Sequence, residues 1–208
     1  MRSPTRIIDI SRPLTSSTAN WPGDTPFSFE LPVKRSTSSN INIGAFRTST
    51  HFATHVDAPF HFTDSGETIE QLDLSIYYGE VLVIDVRGTS IIAVNHIPDH
   101  LPERVLFRTD AWLSPTEFPS SVPVLSLDAI TKLAANRVRL VGLDVPSVDL
   151  LNSKSLPVHS ALHRAGMYIL ESVLLETVAP GSYLLCAFPL KLVGADASPV
   201  RAALVQYS

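Results

Sequence analysis

The 208-residue chain predicts an α/β fold, a single strand-rich domain over residues 1–208 with a few short helices. Three observations lead there. Apolar, β-branched runs of strand length recur along the chain. Sixteen scattered prolines favour short strands and ordered loops over long helices. No linker, internal repeat or low-complexity stretch divides the sequence. With 45% hydrophobic and 17% charged residues, the composition is that of a globular protein with a substantial core, not of a disordered chain.

Residues 40–50 alternate, with Ile41, Ile43 and Ala45 on one face, and run directly into a dense histidine cluster. Residues 80–86, 104–108, 138–144 and 183–187 read as strands by length and β-branched content. A helix is expected over residues 127–136, because Ser126 is a suitable N-cap and Ile130, Leu133 and Ala134 form an apolar stripe. A shorter helix over residues 158–165 would end at Gly166. Residues 167–170 then read as a strand that ends on Glu171.

The formal net charge of -4 offers no electrostatic footprint for nucleic acid, so a small-molecule or protein partner is expected. Cys186 is the only cysteine, which rules out an internal disulfide and a thiolate metal cluster. The segment beginning Met1-Arg2-Ser3 reaches only Ile7 and Ile8 before Asp9, so no signal peptide is expected. No stretch approaches the roughly 20 apolar residues that cross a bilayer, and a soluble cytoplasmic protein follows.

The chemistry concentrates in His51-Phe52-Ala53-Thr54-His55-Val56-Asp57-Ala58-Pro59-Phe60-His61. Imidazoles and a carboxylate at this density suit zinc or manganese and point to a metal-dependent hydrolase. Pro59 argues against a helix through the run. A strand end turning into a loop would let His51, His55 and Asp57 converge, because positions 51, 53, 55 and 57 of an extended chain project to one side. His61 exceeds what a catalytic zinc needs, and an imidazole beside activated water can move protons.

A second group lies at His159, His163 and Glu171. His159 and His163 stand four apart on the expected helix, and a carboxylate ending an apolar strand is costly unless paired or coordinated. His51, His55, Asp57, His159 and Glu171 are too many ligands for one open zinc. Two divalent ions bridged by carboxylates would use all five and leave room for an attacking water, with Asp57 and Glu171 the natural bridges.

These residues resemble the metal-dependent hydrolases of the cyclase superfamily, most closely the bacterial kynurenine formamidases (arylformamidases). The family signature His-x-Gly-Thr-His-x-Asp-x-Pro-x-His is met by His51 to His61 at every defined position except Ala53. Trp21-Pro22-Gly23-Asp24-Thr25-Pro26 is similar to the family's N-terminal substrate-contacting segment. Leu140 to Asp144 with Pro146 to Asp149, and Pro189 to Leu192 with Asp196 to Arg201, resemble its central and C-terminal motifs. Leu150-Leu151 departs from a proline common in the family.

The resemblance implies a swivelling β/β/α domain, usually dimeric. It implies two divalent metals, zinc or manganese, on His51, His55, Asp57, His159 and Glu171, with His163 outside the site. It further implies His61 as general acid/base, Trp21 against an aromatic formamide, and hydrolysis of N-formyl-L-kynurenine to L-kynurenine and formate. Hydrolysis of a cyclic amide such as isatin is the alternative within the superfamily, and a non-catalytic metal-binding module the alternative outside it. A serine hydrolase would want Gly-x-Ser-x-Gly, which the chain lacks.

Overall fold

The computed structural model describes residues 4–37 and 40–207, so Met1, Arg2 and Ser3 of the N-terminal segment lie outside it. Among the described residues the chain forms thirteen strands and two α-helices. In order these are β1 (Pro4–Asp9), β2 (Ser28–Val33), β3 (Ile43–Arg47), β4 (His55–Asp57), β5 (Tyr78–Asp85), β6 (Ile91–Ile92), β7 (Arg104–Arg108), β8 (Val124–Leu125), α1 (Leu127–Ala135), β9 (Leu140–Leu143), α2 (Pro157–Arg164), β10 (Tyr168–Glu171), β11 (Gly181–Cys186), β12 (Ala197–Pro199) and β13 (Ala203–Tyr207).

One nine-stranded sheet runs in the order β1-β13-β11-β5-β7-β9-β10-β4-β12. Its centre, β5-β7-β9-β10, is parallel, and antiparallel strands extend it on both sides. The central strands are buried on both faces, which is why they read as continuous apolar runs. Val105 and Phe107 of β7 pack into the core under the two helices, and Leu106 between them enters the core on the opposite face. Gly142 of β9 faces Leu106 and the carbonyl of Leu170 so closely that a Cβ would push the buried Leu106 side chain aside.

Helix α1 forms as expected: the Ser126 hydroxyl accepts from Ala129 N at 3.1 Å, and Ala129, Ile130 and Leu133 are buried. The strands expected over residues 80–86 and 183–187 begin two residues earlier. Antiparallel pairing runs from Tyr78 opposite Cys186 to Val83 opposite Gly181, through glycines that carry no strand signal of their own.

Of the alternating stretch at residues 40–50, only 43–47 form a strand, and all five residues of β3 are exposed, because β3 pairs only with β2 in a separate hairpin. One expectation needs correction. The histidine run is not a strand end entering a loop but the reverse. Residues 48–54 are turns, β4 covers only His55–Asp57, and a 3-10 turn follows at Pro59–His61.

Candidate active site

Strand register brings the first pair of acid and imidazole together. In β4 and β10, Glu171 lies directly opposite His55, and Asp57 opposite Ile169. His55, Asp57 and Glu171 therefore project to the helix-covered face, while Val56 and Leu170 fill the core behind. His51 cannot join by strand alternation, because Ala53 adopts a left-handed backbone with φ 61°. That turn swings His51 back over the cluster and puts the Ala53 carbonyl 2.9 Å from His55 Nδ1. Helix α2 supplies His159. Pro157 begins it, and Asp149 from the preceding loop accepts from Val158 N and His159 N, both at 3.0 Å.

Each of the three imidazoles has one nitrogen anchored and the other turned to a common centre. The Nδ1 atoms of His55 and His159 face Ala53 O (2.9 Å) and Asp149 Oδ2 (2.7 Å), and His51 Nε2 faces Asp196 Oδ2 (3.0 Å). Inwardly, His51 Nδ1 and His55 Nε2 lie 3.0 and 3.4 Å from Asp57 Oδ1, and His159 Nε2 lies 3.6 Å from Asp57 Oδ2. Glu171 completes the ring, with Oε2 3.5 Å from His55 Nε2 and Oε1 3.8 Å from His159 Nε2. Although these atoms are close, His55 Nε2 and both Asp57 oxygens are buried without an aligned hydrogen bond. Buried polar atoms that converge without bonding one another fit a cation between them.

Among the described residues, His51-His55-Asp57 and Asp57-His159-Glu171 each bring three ligand atoms within 4.8 Å of one another and share Asp57. The two triplets could hold two divalent ions with Asp57 between them. A third triplet, His51-His61-Asp196, is more exposed.

The charge balance favours a cation here. Burial alone would depress the imidazoles, yet Asp57 and Glu171 hold His55 up at about 10. Asp196 and Asp57 likewise hold His51 at about 9, and Asp149 and Asp57 hold His159 at about 10. Burial pushes the Asp57 carboxyl up, but His159, His51 and His55 outweigh it and hold it well below the usual carboxylate range. The buried carboxylates thus demand positive charge, which bound protons or metal ions can provide.

His51, His55, His159, Glu171 and Asp196 line a cavity of about 350 Å³. His61 sits at its rim, its side chain 31% exposed, with Nδ1 3.7 Å from Asp196 Oδ2 and its ring 4.0 Å from that of His51. Trp21 forms part of the wall. His163 lies outside, exposed and against Phe62.

Sequence reasoning did not assign Asp149, Asp196, Trp112 or Phe118, all of which touch the cavity or its imidazoles. Asp149 and Asp196 fall within the motifs quoted above, which was the available signal. Phe118 and Trp112, from the loop after β7, carried none.

Comparison with known proteins agrees with this geometry. The family profile described as putative cyclase matches residues 8–150. The kynurenine formamidase of Geobacillus thermodenitrificans (strain NG80-2) is 45% identical over 200 residues, covering 95% of this chain and 96% of that protein. The kynurenine formamidase of Bacillus cereus (strain ATCC 14579) is 44% identical over the same length, again covering 95% of this chain and 96% of its own. A solved structure described as a potential metal-dependent hydrolase with cyclase activity superposes with a TM-score of 0.83 at 25% identity, covering 98% of each chain. Isatin hydrolase A from Ralstonia solanacearum shares the fold, with a TM-score of 0.82 at 22% identity over 97% of this chain and 92% of its own. From the profile match and the near full-length identity, the chain belongs to the cyclase family.

Proposed function

We propose that residues 1–208 act as one domain, a metal-dependent formamidase that hydrolyses N-formyl-L-kynurenine to L-kynurenine and formate. The observation that carries this reading is the pair of ligand triplets sharing Asp57 at the floor of an aromatic-walled cavity, with His61 at its rim. The relatives named kynurenine formamidase, alike over nearly their full length, support the substrate.

In this reading His51, His55, Asp57, His159 and Glu171 hold two divalent ions, zinc before manganese. When bound, such a pair supplies an activated water and positive charge for the carbonyl oxygen. Trp21 packs on the substrate ring and sets the formyl group over the ligand cluster. His61 Nδ1 faces Asp196, which leaves Nε2 to take a proton from the water as its oxygen adds to the formyl carbon, and to pass that proton to the aniline nitrogen as the carbon–nitrogen bond breaks. The second water proton goes to solvent as formate and the aryl amine separate.

A cytoplasmic homodimer completes the reading. Phe29, Ile43 and Phe46 on the exposed hairpin β2–β3 offer apolar surface for the contact between copies. No helix among the described residues is long and apolar enough to cross a membrane.

A substrate panel on metal-stripped and metal-reloaded protein tests the function. Formylkynurenine turnover should vanish with a chelator and return with zinc or manganese. Faster turnover of isatin on the same sample would transfer the assignment to cyclic amides, the reading that the fold likeness to isatin hydrolase favours.

A further inference from the structure

Arg12 is 1% exposed, an unusual place for a guanidinium, and its contacts divide between two parts of the site. Its backbone N–H donates to Thr54 Oγ1 at 2.7 Å, and that hydroxyl donates in turn to Ser172 O at 2.7 Å. The main chain of Arg12 is thus tied to the turn before His55 and to the residue after Glu171. Its side chain points elsewhere. The guanidinium carbon stacks 3.6 Å from the centre of the Trp112 ring, and Nη2 donates to Trp112 O at 2.9 Å.

From Trp112 the aromatic contacts continue to the cavity. Trp112 meets Phe118 with ring centres 5.7 Å apart and planes at 61°, and Phe118 meets Trp21 at 5.3 Å and 76°. Edge-to-face contacts of this kind fix both spacing and tilt. The loop carrying Phe118 is held in place by Trp112 Nε1, which donates to Glu117 O at 2.8 Å, and by Ala19 N, which donates to Pro115 O at 2.8 Å. Trp21, Trp112 and Phe118 all line the cavity.

We propose that Arg12 is a positioning residue for aromatic substrates: stacked beneath Trp112 and tied through its backbone to Thr54, it fixes the Trp112-Phe118-Trp21 wall at a set distance from the ligand cluster. The inference rests on the formamidase reading for its substrate, but its geometry does not. A planar guanidinium is suited to the task, because it presents a flat face to the indole while its edge donates to backbone carbonyls. Lysine has the charge without the face. A ring held by this wall would present its formamido group to the ligand cluster, whereas a ringless ligand would not sense the wall at all.

Two variants of the zinc-loaded enzyme test this. Arg12→Met keeps an apolar stem and removes the cation, and Phe118→Leu interrupts the ladder while leaving Arg12 in place. Each should raise KM for N-formylkynurenine about 5- to 30-fold, the range of a lost buried cation–aromatic or edge contact, with kcat within about threefold. Binding of 2-aminoacetophenone should weaken in parallel, while inhibition by formate and zinc content stay at wild-type levels.

Trp21 and Trp112 are the only tryptophans in the chain, so intrinsic fluorescence reads the ladder without turnover. Arg12→Met should shift the emission and increase acrylamide quenching in metal-free protein as well. A kcat loss at unchanged KM, a parallel loss of zinc affinity, or emission identical to wild type would overturn the proposal. If Arg12→Met does not fold, Arg12→Lys and Phe118→Leu carry the same measurements. A wild-type protein inert toward formylkynurenine would remove the formamidase reading alone, and fluorescence with 2-aminoacetophenone binding would still decide the role of Arg12.

Discussion

Replacing Asp149 with asparagine should weaken metal binding through a residue that touches no metal. Asp149 Oδ2 accepts from both His159 N (3.0 Å) and His159 Nδ1 (2.7 Å), while Oδ1 accepts from Val158 N at 3.0 Å. Asparagine has the same shape but only one acceptor. With its oxygen toward His159, the amide group faces the N–H of Val158; flipped, it faces two donors of His159. Either way a buried donor loses its partner, which costs about 1–3 kcal/mol. His159 also loses the charged acceptor that selects the tautomer with Nε2 free to ligate, an effect worth roughly 10- to 100-fold in metal affinity.

The assay is zinc competition against a chromophoric chelator, paired with urea unfolding of the metal-free protein. Ser126→Ala is the control, because it removes the N-cap of α1 at a cost of about 1 kcal/mol and leaves the cluster alone. If Asp149→Asn bound zinc as tightly as wild type while unfolding earlier, the carboxylate would be a helix cap only, and its role in orienting His159 would be refuted.

Further outcomes follow from the geometry at three residues. His61→Ala should depress turnover by about 10²–10⁴-fold with zinc content unchanged; wild-type activity would end its acid/base role. Ala53→Gly should be nearly neutral to urea unfolding. Relief of a left-handed alanine gains about 1–2 kcal/mol, while added chain entropy costs about 0.4–1 and the buried methyl about 0.8. Ala53→Val at the same φ should lose stability and zinc affinity together, since the carbonyl that anchors His55 would have to move. Asp73→Asn tests pH dependence. Hydrogen bonds from Ser75, together with Arg139, hold Asp73 down at about 2, so its contribution is present above the unfolded value near ~3.9 and fades as pH falls toward the folded value. The gap in unfolding midpoint between variant and wild type should therefore be open at pH 7 and close in acid; a constant gap would show that the ionised carboxylate, held by Ser75 and Arg139, is not its source.

Much of this architecture was legible because the determinants were local. The β7 run of residues 104–108 is buried on both faces and reads as apolar without alternation. The start of α1 and the end of α2 were marked by Ser126 and Gly166. The turn at Ala53 was legible only through the glycine that the family signature has there, since alanine itself prefers other backbone regions and only the surroundings hold it at φ 61°. That β3 stays exposed was not legible for a different reason. Alternation marks a face that wants covering, but not what covers it. The tie of the aromatic ladder to Arg12 was hidden because the partners are distant in the chain: Arg12 and Trp112 are a hundred residues apart.

The candidate site depends on register more than on the histidine run itself. Glu171 meets His55 only because β10 pairs with β4 so that Leu170 is opposite Val56, and both of those side chains are fully buried in the core behind. A slip of one residue would expose Glu171 to that apolar core and turn Leu170 toward the ligands, so the same packing that stabilises the sheet selects the ligand geometry. Pro199 of the edge strand β12 lies opposite His55 on the other side, where a proline is tolerated, and the pairing carries on to Val200 N, which donates to Thr54 O at 3.0 Å. Asp57 is held between β10 and β12 by the same pairing. The imidazole that depends least on the sheet is His159, which arrives on a two-turn helix whose start is fixed by Asp149. Perturbing Asp149 should therefore loosen one side of the cluster while His55, Asp57 and Glu171 stay in place, which makes it the most direct way to separate the two candidate ion positions.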